Sequence, residues 1–273
     1  MGKQMEGAIR VNLIGGIHTI KQNLTADDMR QAFMSKNYAP VKEVLTDAID
    51  RAVRGNMQLA IDGVAEATIR GTPTIPNSYR YDASNPRTKK FIAERTGELI
   101  TTSEDGLQHA VKAMTRHALS RGVNYQQAAN TIRNSIGLNA PQAQSLANYV
   151  KGLNEQGMPQ ARIDALSSAM SSRMLDYRAM MIAQNEIRDA QNQGQLDVWK
   201  QAADDDMLPP EARKVWRIDG NPCPEWCIHM DGEAVGLNED WTVRNSKTGE
   251  TRTVHTPSDV HVCCRCMMDI DMG

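Results

Sequence analysis

The sequence predicts a mainly α protein: a helical body with long helices, then a small α+β C-terminal module with a β-hairpin and zinc-knuckle-like cysteine clusters. Three observations lead there. Apolar residues recur at helical spacing through roughly the first two hundred positions. Aromatics make up only 4%, with two Phe against 16 Met, a composition suited to helices packed through aliphatic faces. All five cysteines fall between positions 223 and 266, in two tight groups.

Residues 1–86 read as an N-terminal arm and helices. The apolar stretch from Ile9 to Ile20 is broken by Gly15-Gly16, which suggests a strand pair or an arm docked on a neighbour. Thr25, followed by Asp27 and Asp28, has the form of an N-cap with acids in the first turn, opening a short helix to about Ser35. Pro40 sits where a helix can start. Val41, Val44, Leu45, Ala48, Ile49, Ala52 and Val53 then keep an i, i+3, i+4 rhythm toward Gly71. Pro73, Pro76, Asn77, Ser78 and Pro86 make 71–86 an extended loop.

Residues 87–204 read as the helical body. Thr88–Ile100 precedes Ser103, which with Glu104 and Asp105 looks like a fresh N-cap for a helix ending at Arg121-Gly122. Asn124 with Gln127 forms a capping-box-like pattern for Tyr125–Ile136, closed by Gly137. Asn139 caps the next helix, with Pro141 in its first turn and Gly152 or Gly157 at its end. After Pro159 a long helix runs to about Ala202, stopped by Asp204-Asp205-Asp206 and Pro209-Pro210.

Residues 205–273 form the Cys-rich module. Val215 to Ile218 is a strand candidate, Asp219-Gly220-Asn221-Pro222 a turn, and the segments at 241–244 and 251–254 flank a hairpin turn. The stretch between the cysteine groups is poor in apolar residues, so the module is expected to be too small to fold on a hydrophobic core of its own. Cys223 and Cys227 make one group; Cys263, Cys264 and Cys266 make the other, with His229 and His261 beside them. Two clusters of soft ligands roughly 35 residues apart are what a tetrahedral metal clip needs. By spacing alone, Cys263 and Cys266 form the better second knuckle. No His-Glu-x-x-His pattern and no deaminase-like His-x-Glu precedes the thiols, so the expected metal is structural zinc.

A net charge of −2 excludes a general electrostatic pull toward nucleic acid. Arg87, Lys89, Lys90 and Arg95, and separately Lys112, Arg116 and Arg121, suit either DNA phosphates or solvated helix faces. No apolar run reaches the ~18 residues of a membrane span. The first eight residues lack a signal peptide's charged head and apolar body. The expectation is a chain kept in a reducing cytoplasm, where clustered thiols bind metal rather than pair.

Ile182-Ala183-Gln184-Asn185-Glu186, with Ala190, Asn192, Gly194 and Trp199 downstream, is followed by Asp219, Cys223, Cys227, Asp231 and Gly232, and then by His261, Cys264, Arg265 and Cys266. Together these resemble the signature of phage head morphogenesis, or minor capsid, proteins of the Mu F type, over about residues 88–269. Three departures stand out: Gln184-Asn185 replaces Arg-Thr, three residues rather than two separate the first cysteine pair, and Val262 replaces Pro. Cys263 is an extra thiol. The resemblance selects Cys223, Cys227, Cys264 and Cys266 as metal ligands, with Cys263 and His261 as alternates. It implies a virion structural and assembly protein without catalytic residues, located in the phage head and, during assembly, in the host cytoplasm. Implied partners are the portal protein, the major capsid protein or packaged DNA, with a homo-oligomer left open. Two other readings compete: a zinc-ribbon-type DNA-binding factor, which needs a basic face near the knuckles, and a metal-dependent hydrolase or toxin-like enzyme.

Overall fold

The computed structural model describes residues 2–35, 37–82, 84–121 and 125–273. The protein is mostly helical, with a small β module at its C-terminal end. The helices are α1 (Gly2–Asn23), α2 (Ala26–Ser35), α3 (Ala39–Gly71), α4 (Pro86–Arg121), α5 (Tyr125–Asn134), α6 (Ala140–Glu155) and α7 (Gln160–Asp204). The strands are β1 (Arg213–Arg217), β2 (Ala234–Gly236), β3 (Trp241–Arg244), β4 (Thr251–Val254) and β5 (Met267–Asp271), with a 3-10 turn at Pro257–Val260. No helix of the described residues is long and apolar enough to cross a membrane. The chain divides into two compact units, one of Met1–Gly7, Arg54–Ala93 and Met181–Gly273, the other of Ala8–Val53 and Glu94–Met180. Both are discontinuous in sequence and do not coincide with the consecutive segments 1–86, 87–204 and 205–273.

In the second unit, the segment read as a strand pair or docking arm is helix α1. Ile9, Leu13, Ile17 and Ile20 are all buried, at spacings of four, four and three that line one helical face. Gly16 interrupts the apolar run for a packing reason: a Cβ there would stand 3.3 Å from the Ala48 Cβ. Helix α2 begins as expected. The Thr25 hydroxyl accepts from the Asp28 N–H at 3.1 Å, and the Asp28 carboxylate takes the Thr25 N–H at 2.8 Å. Asn139 and Gln142 form the reciprocal box that opens α6. Ser103 does not start a helix. It lies buried within the continuous α4, where its hydroxyl accepts from the Arg178 guanidinium at 3.2 Å, so its oxygen serves a long-range contact instead of a cap. Helix α5 ends at Asn134, two residues short of the expected Ile136. Gly122, Asn124 and the side chains of Arg116, His117 and Arg121 lie outside what is described.

In the first unit, the 72–82 loop is fastened to the end of α7. The Trp199 indole N–H donates to Thr72 Oγ1 at 3.1 Å, and the Tyr79 hydroxyl donates to Asp205 at 2.6 Å. Thr88, at the start of α4, donates to the buried Asp197 at 2.9 Å. The C-terminal module follows in this unit. Antiparallel strands run β2-β1-β5, with Trp216 opposite Met268, and β3 pairs with β4 in the expected hairpin, Trp241 opposite Val254. The module is not short of a core. Trp216, Trp226, Trp241, Val243, Val254, Val260 and Met268 form one apolar cluster with Ala65 and Ile69 of α3 and Leu196, Val198, Trp199 and Ala202 of α7. Three widely spaced tryptophans and a borrowed helical surface supply what a local reading of the stretch does not reveal.

Two α4 glycines provide a test of the second unit's packing. A Cβ at Gly106 would lie 1.8 Å from the Leu138 carbonyl oxygen, whereas one at Gly97 meets nothing within 4 Å. Gly106→Ala is expected to cost about 3 kcal/mol of unfolding free energy. Gly97→Ala should add about 1 kcal/mol through helix propensity. Urea denaturation of the two variants measures both.

Candidate metal centre

The first cysteine pair is shaped by a single helical turn. Strand β1 leaves the sheet at Arg217, and the chain turns back so that the Cys227 N–H reaches the Cys223 carbonyl at 2.9 Å. That i to i+4 bond winds Cys223 to Cys227 into a single helical turn. The Asp231-Gly232 step then brings the chain back to β1. The Asp231 carboxylate accepts the Ile218 N–H at 3.1 Å, and the Gly232 N–H meets the Trp216 carbonyl at 2.9 Å.

The second group is shaped by Cys263, whose φ of 60° lies in the left-handed region that non-glycine residues rarely enter. This reversal lets the Cys264 N–H bond the His261 carbonyl at 3.2 Å and turns the Cys263 side chain out of the cluster. The Cys263 sulfur faces Met181 Sδ and Gln184 Oε1, each at 3.6 Å, and its N–H donates to Asn185 at 2.7 Å. Burial raises its thiol pKa, against the lowering pull of Arg265. Arg265 itself is exposed.

Three side chains converge between the two turns: Cys227, His261 and Cys264 bring their ligand atoms within 4.8 Å of one another. Cys227 Sγ lies 3.9 Å from Cys264 Sγ and 3.1 Å from His261 Nε2. Two sulfurs held tetrahedrally at about 2.3 Å from one ion would stand about 3.8 Å apart, and a sulfur and an imidazole nitrogen about 3.5 Å. The sulfur pair already has that spacing, and the imidazole needs only a small outward shift. His261 Nδ1 lies 2.9 Å from the Val262 carbonyl. A carbonyl can only accept, so Nδ1 carries the proton and Nε2 presents its lone pair to the sulfurs, the orientation a metal-bound histidine takes.

Cys266 stands beside this group. The Cys227 and Cys264 thiols direct their protons at it and the Asp219 backbone N–H adds a donor, so despite burial its pKa falls to about 3. The Trp216 indole N–H is buried without a hydrogen-bond partner, yet lies close enough to Cys266 to favour the thiolate. A metal-bound sulfur is an acceptor that would satisfy this orphaned donor. The Cys264 thiol is pushed up by its interactions with Cys227 and Cys266, then by burial. For Cys227 the proton offered by Cys264 pulls down, but its own donation to Cys266, burial and the charges of Cys266 and Cys223 outweigh it, to about 12. Cys223 and Cys266 both lie outside the converged Cys-Cys-His group, each close enough for its charge to be felt at Cys227.

Two side chains hold the turns in place: Arg252, which sequence reasoning did not single out, and Asn192, which lies within the resemblance. Arg252 of β4 stacks over the Trp226 ring at 4.4 Å and donates to the Val260 carbonyl at 2.6 Å, clamping one turn to the approach of the other. Asn192 of α7 is buried and donates to the Cys266 carbonyl at 3.2 Å. Farther along the module, Lys200 of α7 contacts His255 Nε2 at 3.0 Å, and His255 Nδ1 contacts Asp240 at 2.6 Å. Spacing gave the two cysteine groups, and the resemblance added the Asp231-Gly232 step and His261 with Cys264; Arg252 and His255 have no motif of their own.

A cobalt(II) titration separates the thiols. Cys263→Ser should keep the parent's thiolate-to-cobalt absorption, while Cys264→Ser weakens cobalt binding by roughly tenfold or more. A second measurement concerns pH. Burial, helped by Lys214 and Lys200 and opposed by the Asp240 contact, holds His255 below its ordinary value of 6.5. Between the lowered value and 6.5 the unfolded chain binds the proton first, so His255's contribution to stability falls as pH drops through that window and levels off below it. Urea midpoints between about pH 7.5 and pH 5 should show the gap between the parent and His255→Gln narrowing toward acid.

No protein-family model, curated protein or solved structure gives a significant match to the chain.

Proposed function

We propose that the chain is a structural and assembly protein of a tailed-phage head, a minor head protein acting by binding surfaces, whose C-terminal module is stapled by zinc. The observation that carries the reading is how the two separate parts of the Mu F-type resemblance meet. Asn185, inside the Ile182–Glu186 segment, accepts the Cys263 N–H, and Asn192 on the same helix donates to the Cys266 carbonyl. The Asn192–Cys266 contact, with one residue from each part, supports reading the two parts together, while Asn185 and Cys263 are positions where the chain departs from the family's pattern.

The metal reading rests on ligand chemistry. Thiolates and an imidazole at tetrahedral spacing favour zinc over harder cations that prefer oxygen. Cys227, His261, Cys264 and Cys266 would hold the ion. Once bound, its charge allows the neighbouring thiols to ionise together, and it crosslinks the turn after β1 to the turn before β5. Four protein ligands leave no open position for a reacting water, so the role is structural. Glu186, the one helix carboxylate within the resemblance, is buried and already partnered, which suits a packing role.

Portal and capsid proteins are the partners this reading implies. Electrostatics around the box do not favour DNA as the module's ligand, since half-buried Glu225 and exposed Asp231 and Glu233 lie within it. Mass spectrometry of purified virions and proheads of the source phage tests the proposal. The chain is expected in both at low copy, with zinc in the recombinant protein. Its absence from virions and proheads alike would overturn the assembly role.

A further inference from the structure

In the unit formed by Ala8–Val53 and Glu94–Met180, three helices enclose a cavity of about 290 Å³ whose lining contains no acidic residue. Helix α1 contributes His18, Lys21 and Gln22, α5 contributes Arg133, and α7 contributes Ser168, Ser171 and Ser172. We propose that this cavity is a binding site for a phosphate group, with Lys21 and Arg133 supplying charge and the α7 serines supplying hydroxyl donors.

The argument begins with donor bookkeeping. Lys21 Nζ donates to the Asn134 carbonyl and to Ser171 Oγ, each at 3.1 Å, and has a third N–H to offer. Arg133 makes no ion pair or hydrogen bond among the described residues, so its planar fork of donors is uncommitted. Ser168 and Ser172 are likewise without a hydrogen-bond partner, and both are exposed at the cavity mouth. That is more donors than the two oxygens of a carboxylate can use, and a phosphate group offers three or four. Ser171 spends its proton on the Asn134 carbonyl at 2.5 Å and serves to position Lys21.

A purely structural reading of the two cations is that they neutralise the C-terminal end of α5, where Asn134 carries the last carbonyl. That accounts for Lys21, which bonds this carbonyl. It does not account for Arg133, which bonds nothing there and instead stands close enough to Lys21 to oppose its charge. Burial and then Arg133 lower the Lys21 pKa to about 8. Two cations held together against burial, with no carboxylate between them, are stabilised by an anion, and a phosphate group fits the hydroxyl-rich wall.

The site stands independently of the proposed head-protein role. Its test is a calorimetric titration of the full chain with inorganic phosphate, at ionic strength held constant with chloride. Saturable binding is expected, weakened at least tenfold in Arg133→Gln and in Lys21→Met, and unchanged in Arg51→Gln, whose exposed side chain pairs with Asp47 on α3. Circular dichroism checks that Lys21→Met folds; Arg133→Gln decides the question if it does not. A short DNA duplex that displaces phosphate, and whose binding falls in Arg133→Gln, would identify a nucleic-acid backbone as the source. Phosphate binding that the duplex leaves untouched would identify a small phosphate compound. Failure to bind phosphate beyond chloride, or binding indifferent to Arg133→Gln, would overturn the proposal.

Discussion

Thiols packed a few ångströms apart cannot all ionise unless a cation sits among them. Cys227 and Cys264 are in that position, their sulfurs 3.9 Å apart, with His261 aimed at the same space and Cys266 near enough to influence their protonation. Without a cation the neighbouring thiols favour the thiolate at Cys266, while their neighbours and burial hold Cys264 and Cys227 toward the protonated form. With one, all can act as ligands, and the repulsion that limits the cluster becomes the attraction that closes it. The geometry on either side serves this convergence. The helical turn at Cys223–Cys227, the left-handed Cys263 and the Arg252–Trp226 stack each fix one side chain's approach.

A metal bound between the two turns would be a staple on a fold that already has a core. Trp216 and Trp241 meet edge-to-face at 5.4 Å, Lys214 lies over the Trp241 ring at 4.6 Å, and this apolar cluster runs into α3 and α7. Zinc peptides that lack such a core depend on the ion for all of their structure. The thiols lie in the same buried cluster as the tryptophans: hydrophobic burial anchors the strands, and a bound ion would close the turns that leave β1 and enter β5. Losing the metal should therefore loosen the two turns while the sheet and its tryptophans persist.

Local signals read well where they act locally. Thr25 with Asp28 and Asn139 with Gln142 open their helices as their spacing suggests, because a cap is satisfied within four residues. The β3–β4 hairpin follows for the same reason. Ser103 and Gly16 misled because their partners are distant: Arg178 claims the serine, and Ala48 requires the glycine's missing side chain. Within the candidate centre, the cysteine groups and His261 were legible from composition. The choice between neighbouring thiols was not, since it depends on the φ of Cys263 and on Asn185, 78 residues away, accepting its N–H.

X-ray absorption at the zinc edge, on protein purified without added metal, tests the central claim most directly. One zinc per chain is expected, with three sulfurs at about 2.3 Å and one nitrogen at about 2.0 Å. A shell made of oxygen, or a correctly folded chain that carries no stoichiometric metal from the cell, would contradict the account.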